Sequence, residues 1–287
     1  MRTALPVALA AVTLAVAGCG AGSDAAADGK IPVVASTNVW GSVVAAVGGS
    51  EVSVQSLINN PSADPHSYSD KPEDATLLTN AKLVLYNGGG YDDFFAKLVT
   101  AAGADARQVV AFDGHENGDN EHVWYEFAAV RKVADRVATE LGDIDPAHRD
   151  TYADNAKAFD DKLDALAAKA AAIPDVKVVA TEPVAHYLLE AAGITDVTPP
   201  AFSEAVEEET DPPVVAVADT TDLITNKRVS ALVNNAQTET NVTDRLIDAA
   251  KSAGVPVVDV RETLPQGVTD YVEWMTKEVD SLAGAVS

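Results

Sequence analysis

The sequence predicts an α/β protein with two lobes, each a parallel sheet covered by helices, joined by one long helix. Three observations carry this prediction. Short valine-rich runs alternate with helical stretches in both halves of the chain. One unbroken helical pattern, from 145 to 173, interrupts that alternation. The chain beyond residue 30 is long enough for one large core or two of medium size.

In the first half, strands are expected at 32–36, 52–57, 83–87 and 108–111. Helices are expected at 39–47, 74–80, 92–101 and 124–141. Gly88-Gly89-Gly90 lacks the spacing and following lysine of a phosphate loop, and reads as a turn after a strand. Asp145-Pro146 opens the long helix with a capping acid and a proline at the first helical position, and Pro174 ends it. A helix of that extent is about 40 Å long, more than one small domain needs, so it is expected to connect the two halves. In the second half, strands are expected at 176–180, 229–233 and 255–260, with helices at 183–192, 242–252 and 271–283. The organisation is therefore a first lobe over 31–144, a connecting helix over 145–174 and a second lobe over 175–287, Rossmann-like in plan.

The first eighteen residues read as a processing segment. Arg2 precedes an apolar run from 4 to 17, too short to span a bilayer comfortably, and small residues follow. Val16-Ala17-Gly18-Cys19 resembles the bacterial lipobox, in which the cysteine is acylated and becomes the first residue of the mature chain. The alternative is an ordinary signal peptide that contains a cysteine by chance. Cys19 is the only cysteine, so no internal disulfide can form. Residues 20–29, rich in Ala, Gly, Ser and Asp, form a flexible tether.

Apolar residues make up 47% of the chain, ample for packed cores. The formal charge is −24, and one unit more negative once Arg2 leaves with the signal. Such acidity argues against nucleic acid and favours cations, although solubility alone also accounts for it.

Ligands of open parallel sheets bind just past the carboxyl ends of the strands. Four polar residues are expected there. His66 lies in the proline-stiffened loop after the 52–57 strand, and His122 ends the acidic loop after the 108–111 strand. Glu182 follows the 176–180 strand, and Glu262 follows the 255–260 strand. Singly, a loop histidine is more often a surface residue, and a helix-opening glutamate usually serves the helix dipole. Together, two imidazoles and two carboxylates facing across a cleft make a four-ligand site for a divalent transition metal. Of the other histidines, His115 reads as part of a solvated turn and His148 as surface. His186, one turn beyond Glu182, reads as packing or as a contact behind the ligands. Asn234, Asn235, Gln237 and Glu239 follow another strand end and are candidates to line the cleft.

These residues resemble the substrate-binding lipoproteins of bacterial zinc and manganese ABC transporters. The resemblance rests on Val34-Ala35-Ser36-Thr37-Asn38-Val39-Trp40, Asp64-Pro65-His66-Ser67-Tyr68 and His122-Val123-Trp124. It continues through Ala180-Thr181-Glu182-Pro183 and Glu207-Glu208-Glu209-Thr210, and so spans nearly the whole mature chain. It implies two α/β lobes joined by one long helix, with metal bound in the cleft by the counterparts of His66 and His122. Glu182 stands where many zinc binders carry histidine and several manganese binders carry glutamate. Glu262 stands where the family often carries aspartate, in a differing local motif.

The resemblance implies capture of one divalent transition metal ion as transported ligand, without catalysis. Manganese(II) is placed slightly ahead of zinc(II), with iron(II) a third candidate. The implied partners are a membrane permease and its cytoplasmic ATPase. The chain is expected to act as a monomer, lipid-anchored at the outer face of the cytoplasmic membrane, with no nucleic-acid partner. Two other classes use similar residues: a secreted metallohydrolase, and a lipoprotein binding an organic solute or an adhesive partner. No His-Glu-x-x-His pair or serine-hydrolase elbow is present for the former.

Overall fold

A computed structural model describes residues 29–63, 65–115, 118 and 120–287. Cys19, the signal segment 1–18 and most of the tether lie outside the described residues. No helix among the described residues is long and apolar enough to cross a membrane.

The first lobe is built on β1 (Ile31–Thr37), β2 (Val52–Ile58), β3 (Leu83–Tyr86) and β4 (Arg107–Val110), with helices α1 (Asn38–Gly48), α2 (Pro72–Asn80), α3 (Asp93–Ala101) and α4 (Phe127–Ile144). The four strands are parallel, in the order β2-β1-β3-β4. The connecting helix α5 (Arg149–Ala170) follows. The second lobe contains β5 (Lys177–Ala180), α6 (His186–Ala191), β6 (Thr195–Asp196), α7 (Pro200–Glu207), α8 (Val214–Thr225), β7 (Ala231–Asn235), α9 (Asn241–Ala253), β8 (Val257–Val260) and α10 (Tyr271–Val286). Its sheet is also parallel, ordered β6-β5-β7-β8, so the lobes share one strand plan. In each sheet the order reverses beside the first strand, which opens a crevice at the carboxyl ends.

The strands form where buried β-branched residues recur: Val33, Val34, Val84, Val178, Val179, Val233 and Val258 are all buried. The connecting helix is shorter than its sequence pattern suggests. Asp145 caps a 3-10 turn over Pro146–His148 by accepting from the Ala147 amide at 3.2 Å. The α-helix starts only at Arg149, because His148 leaves helical geometry. Its 22 residues span roughly 33 Å. Two helices, α7 and α8, and the two-residue strand β6 fill the stretch between 195 and 225, where the sequence pattern suggested no element.

The lobes share a core. One apolar cluster runs from Val33 and Trp40 through Val137 and Leu163 to Val178, Val258 and Trp274. Smaller clusters lie beneath the outer face of each sheet, around Leu78 and Phe95 in one and Phe202 and Leu246 in the other. Polar ties reinforce the shared core. The Tyr271 hydroxyl donates to the Trp124 carbonyl at 2.6 Å, and the Tyr125 hydroxyl donates to the Arg261 carbonyl at 2.8 Å. Asn38 pairs with both backbone groups of Leu264, at 2.9 and 3.3 Å. A large apolar contact of this kind opposes wide hinge motion.

Candidate metal centre

The crevice brings together loops from the carboxyl ends of both sheets. His66 sits beyond β2, in a loop that begins with an Asn60 turn, where the Asn60 side chain accepts from the Ser62 amide at 3.1 Å. The second lobe holds this loop from across the cleft: Gln237 donates to the Ala63 carbonyl at 2.6 Å and Arg261 to the Pro61 carbonyl at 3.3 Å. The His66 ring stands edge-on to Tyr91, with centroids 4.8 Å apart. Tyr91 is placed by the glycine turn after β3. Gly88, Gly89 and Gly90 all take left-handed φ, and a Cβ on Gly89 would meet the Phe112 ring at 2.6 Å. That turn wraps the buried Asp92 carboxylate, which accepts from the Asn87 and Gly88 amides at 2.7 and 2.8 Å.

His122 is fully buried at the end of the loop after β4. One oxygen, Oδ1 of Asn120, accepts from its backbone nitrogen at 2.9 Å and from its Nδ1 at 2.8 Å. Accepting at that oxygen requires the proton on Nδ1, which leaves the Nε2 lone pair facing the crevice. Nε2 is buried and makes no hydrogen bond. Burial, and then the neighbouring His66 and His186, push the proton affinity of His122 down to about 3. The ring is therefore neutral at physiological pH, as a metal ligand must be. The preceding residue is secured as well. Trp40 donates to Asn87 Oδ1 at 3.2 Å, and Asn87 in turn donates to the Glu121 carbonyl at 2.8 Å.

Glu182 and Glu262 enter from the second sheet, 4% and 2% exposed. Asn235, at the end of β7, donates its side-chain nitrogen to both: 2.6 Å to Glu182 Oε2 and 2.8 Å to Glu262 Oε1. Thr238 donates to the other Glu182 oxygen. The Glu262 backbone nitrogen donates to Gln237 Oε1 at 2.6 Å. Two buried carboxylates joined through one neutral amide make a strongly electronegative pocket, which a cation offsets.

Three of the four candidate ligands converge directly. His66, His122 and Glu262 offer ligand atoms that all lie within 4.8 Å of one another. His66 Nε2 is 3.8 Å from Glu262 Oε2. The edge of a tetrahedral site with 2.1 Å bonds is about 3.4 Å, so small side-chain adjustments close this set on an ion. Glu182 does not join that set and reaches it through Asn235.

Sequence reasoning missed Glu207. This last residue of α7 places Oε1 3.4 Å from His122 Nε2 and 3.8 Å from His66 Nε2. The available signal was Pro199-Pro200, which opens a helix ahead of the Glu207-Glu208-Glu209-Thr210 motif.

His115 departs from the solvated turn expected of it. Its side chain is 2% exposed and bonds Glu126 at 2.5 Å, while Tyr187 of α6 lies 3.1 Å from its Nε2. The reason is tertiary: Tyr187, from the second lobe, closes over the ring. His148 is surface, paired with Asp145 at 2.6 Å. His186 is also outward, 3.4 Å from Glu190.

Two parallel sheets whose strand ends present imidazoles and carboxylates to one crevice define a two-lobed cation-binding protein. Residues 33–285 match the ZnuA family, described as zinc-uptake complex component A, periplasmic. The chain belongs to this family, the metal-binding substrate-binding proteins of ABC importers. The metal ABC transporter substrate-binding lipoprotein FimA of Streptococcus parasanguinis is 26% identical over 262 residues, covering 83% of this chain and 82% of its own. The manganese-binding lipoprotein MntA of Bacillus subtilis is 26% identical over 276 residues, covering 88% and 87%. The periplasmic zinc-binding protein TroA of Treponema pallidum shares the fold, with a TM-score of 0.74 at 19% identity over 90% of this chain and all of its own.

Proposed function

We propose that the chain captures one divalent transition metal ion with His66, His122, Glu262 and Glu182, and delivers it to a membrane permease driven by a cytoplasmic ATPase. The observation that carries this reading is the convergence of His66, His122 and Glu262, from loops of both sheets, around the buried Nε2 of His122. Glu182 completes the set by exchanging its bonds from Asn235 and Thr238 for the ion, a short movement within the same pocket.

Manganese(II) is the first-ranked cargo and zinc(II) the second. Carboxylates match or outnumber imidazoles in the crevice, and oxygen-rich sets suit manganese, while intrinsic affinity favours zinc. MntA is named for manganese and TroA for zinc, so relatives span both. Acylation at Cys19 tethers the protein beside its permease at the outer face of the cytoplasmic membrane, and it acts as a monomer. Multiple acyl chains hold firmly where one binds only marginally. The shared core favours modest opening over wide hinge motion as the route to release.

The test is metal content of the full-length, metal-free protein after competition between manganese and zinc at controlled free-ion levels. About one ion per chain is expected in the wild type, and none in the His66→Ala and His122→Ala variants at the same free-ion level. Unchanged content in either variant would exclude this site.

A further inference from the structure

Beyond the site just described, a second group of ligand atoms shares His66: those of His66, Glu121 and Glu207 lie within 4.8 Å of one another. We propose that these three residues form an outer station for the same divalent cation, which meets them first and then passes to His122 and Glu262 while His66 stays bound. The inference rests on the metal-capture reading above and adds a loading route to it.

Exposure orders the two groups. In the inner set His122 and Glu262 are buried; in the outer set Glu121 and Glu207 are half-buried and His66 is exposed. Glu121 and His122 are adjacent in the chain, one half-buried and the other fully buried. The Asn87 bond to the Glu121 carbonyl and the Asn120 bonds to His122 hold this pair in place. Glu207 belongs to a helix anchored by the buried Phe202 and Val206.

Its position is unfavourable for the helix itself. Glu207, Glu208 and Glu209 stand together at the carboxyl end of α7, where the helix dipole already concentrates negative charge. Glu209 even adopts left-handed φ, at 52°. Helix stability therefore does not account for an acid at 207, whereas a bound cation does. A second observation points the same way. The buried Nε2 of His122, which makes no hydrogen bond, lies 3.4 Å from Glu207 Oε1. Glu207 thus touches both stations, and the ion can pass between them in one short step.

The donor sets suit that order. One exposed imidazole and two partly buried carboxylates make a hard site nearer the solvent than His122 and Glu262, and such a site tolerates a partly hydrated ion. Two imidazoles and the buried Glu262 make a drier and tighter one. Shedding water in two stages replaces one large dehydration barrier with two smaller ones.

The test uses the full-length, metal-free chain with manganese(II) alone as probe. Stopped-flow fluorescence reads loading, with Trp124 as reporter because its ring lies 5.1 Å from that of His122. The Glu121→Gln/Glu207→Gln variant is expected to load roughly tenfold more slowly than wild type. Manganese electron paramagnetic resonance gives the second arm. His122→Ala should lose tight binding yet retain one weak site, and adding Glu121→Gln/Glu207→Gln should abolish it. Loading within twofold of wild type, or weak binding in His122→Ala that survives the two glutamine substitutions, overturns the outer station. If the wild type itself takes up no ion, it is the capture reading that fails.

Discussion

Asn120 holds His122 through a single oxygen, 2.9 Å from its backbone nitrogen and 2.8 Å from Nδ1. The same side chain donates to the Pro183 carbonyl at 2.9 Å, one residue beyond Glu182. One amide thus sets the tautomer of a first-lobe imidazole and ties it to the second lobe. Asn120→Ala is expected to weaken manganese binding by about 10- to 100-fold. Asn120→Asp keeps the acceptor for His122 and replaces the donor to Pro183 by a charged oxygen, so it should recover the ring orientation and part of the affinity. Titration of both variants, with nitrogen shifts of the His122 ring, separates orientation from general loss of structure.

Asn235 gives the site its other joint. Removing it strips hydrogen bonds from two buried carboxylates, and each bond to a charged group contributes about 1.5–3 kcal/mol. Asn235→Ala should therefore melt well below wild type without metal. A saturating divalent ion should narrow that gap, because the cation takes over the charge balance. Melts with and without manganese check this; an equal gap in both conditions would mean that no ion meets these carboxylates.

Glu262→Gln and Glu182→Gln rank the two acids. Glu262 already stands within the convergent set, whereas Glu182 must leave Asn235 and Thr238 to reach the ion. Glu262→Gln should therefore cost the larger share of affinity, on the order of 100-fold, with a smaller loss for Glu182→Gln. Competition titration against a chelator of known affinity measures both.

Glu278 offers a pH test away from the site. Burial pushes its carboxyl up to about 7, against opposing contributions from the Trp274 hydrogen bond and Arg261. Its Oε1 accepts from Trp274 Nε1 at 2.7 Å. A raised carboxyl pKa means that the folded state holds the proton more tightly than the unfolded state. Stability is then lost as pH rises from about 4.5 through about 7, and the cost is complete above that. Glu278→Gln keeps the acceptor without the charge. It should match wild type near pH 4.5 and exceed it above pH 7 by up to about 3 kcal/mol. Denaturation at pH 5 and pH 8 reads the difference.

The alternating pattern made most of the fold legible, because buried parallel strands and covering helices carry different apolar periods. It also located His66, His122, Glu182 and Glu262, since each follows a strand end. It did not expose α7, an eight-residue helix whose register depends on Phe202 and Val206 meeting a core formed by distant elements. Glu207 was legible within its motif, but its place beside the two imidazoles was hidden with the helix. His115 was read as surface because its own loop is polar; Tyr187, from the other lobe, is what buries it.

The sequence by itself determined most of the elements, their order and the residue types available at each strand end. Those are local properties, carried by periodicity, caps and turns. The tertiary structure decided which atoms meet. It brought His66, His122 and Glu262 together, joined Glu182 to Glu262 through Asn235, and turned Glu207 toward both imidazoles. Distances between loops far apart in the chain depend on how two sheets pack around a shared core, and no local pattern encodes them. Cys19 stands at the opposite limit: the expectation that it is acylated rests on four adjacent residues alone.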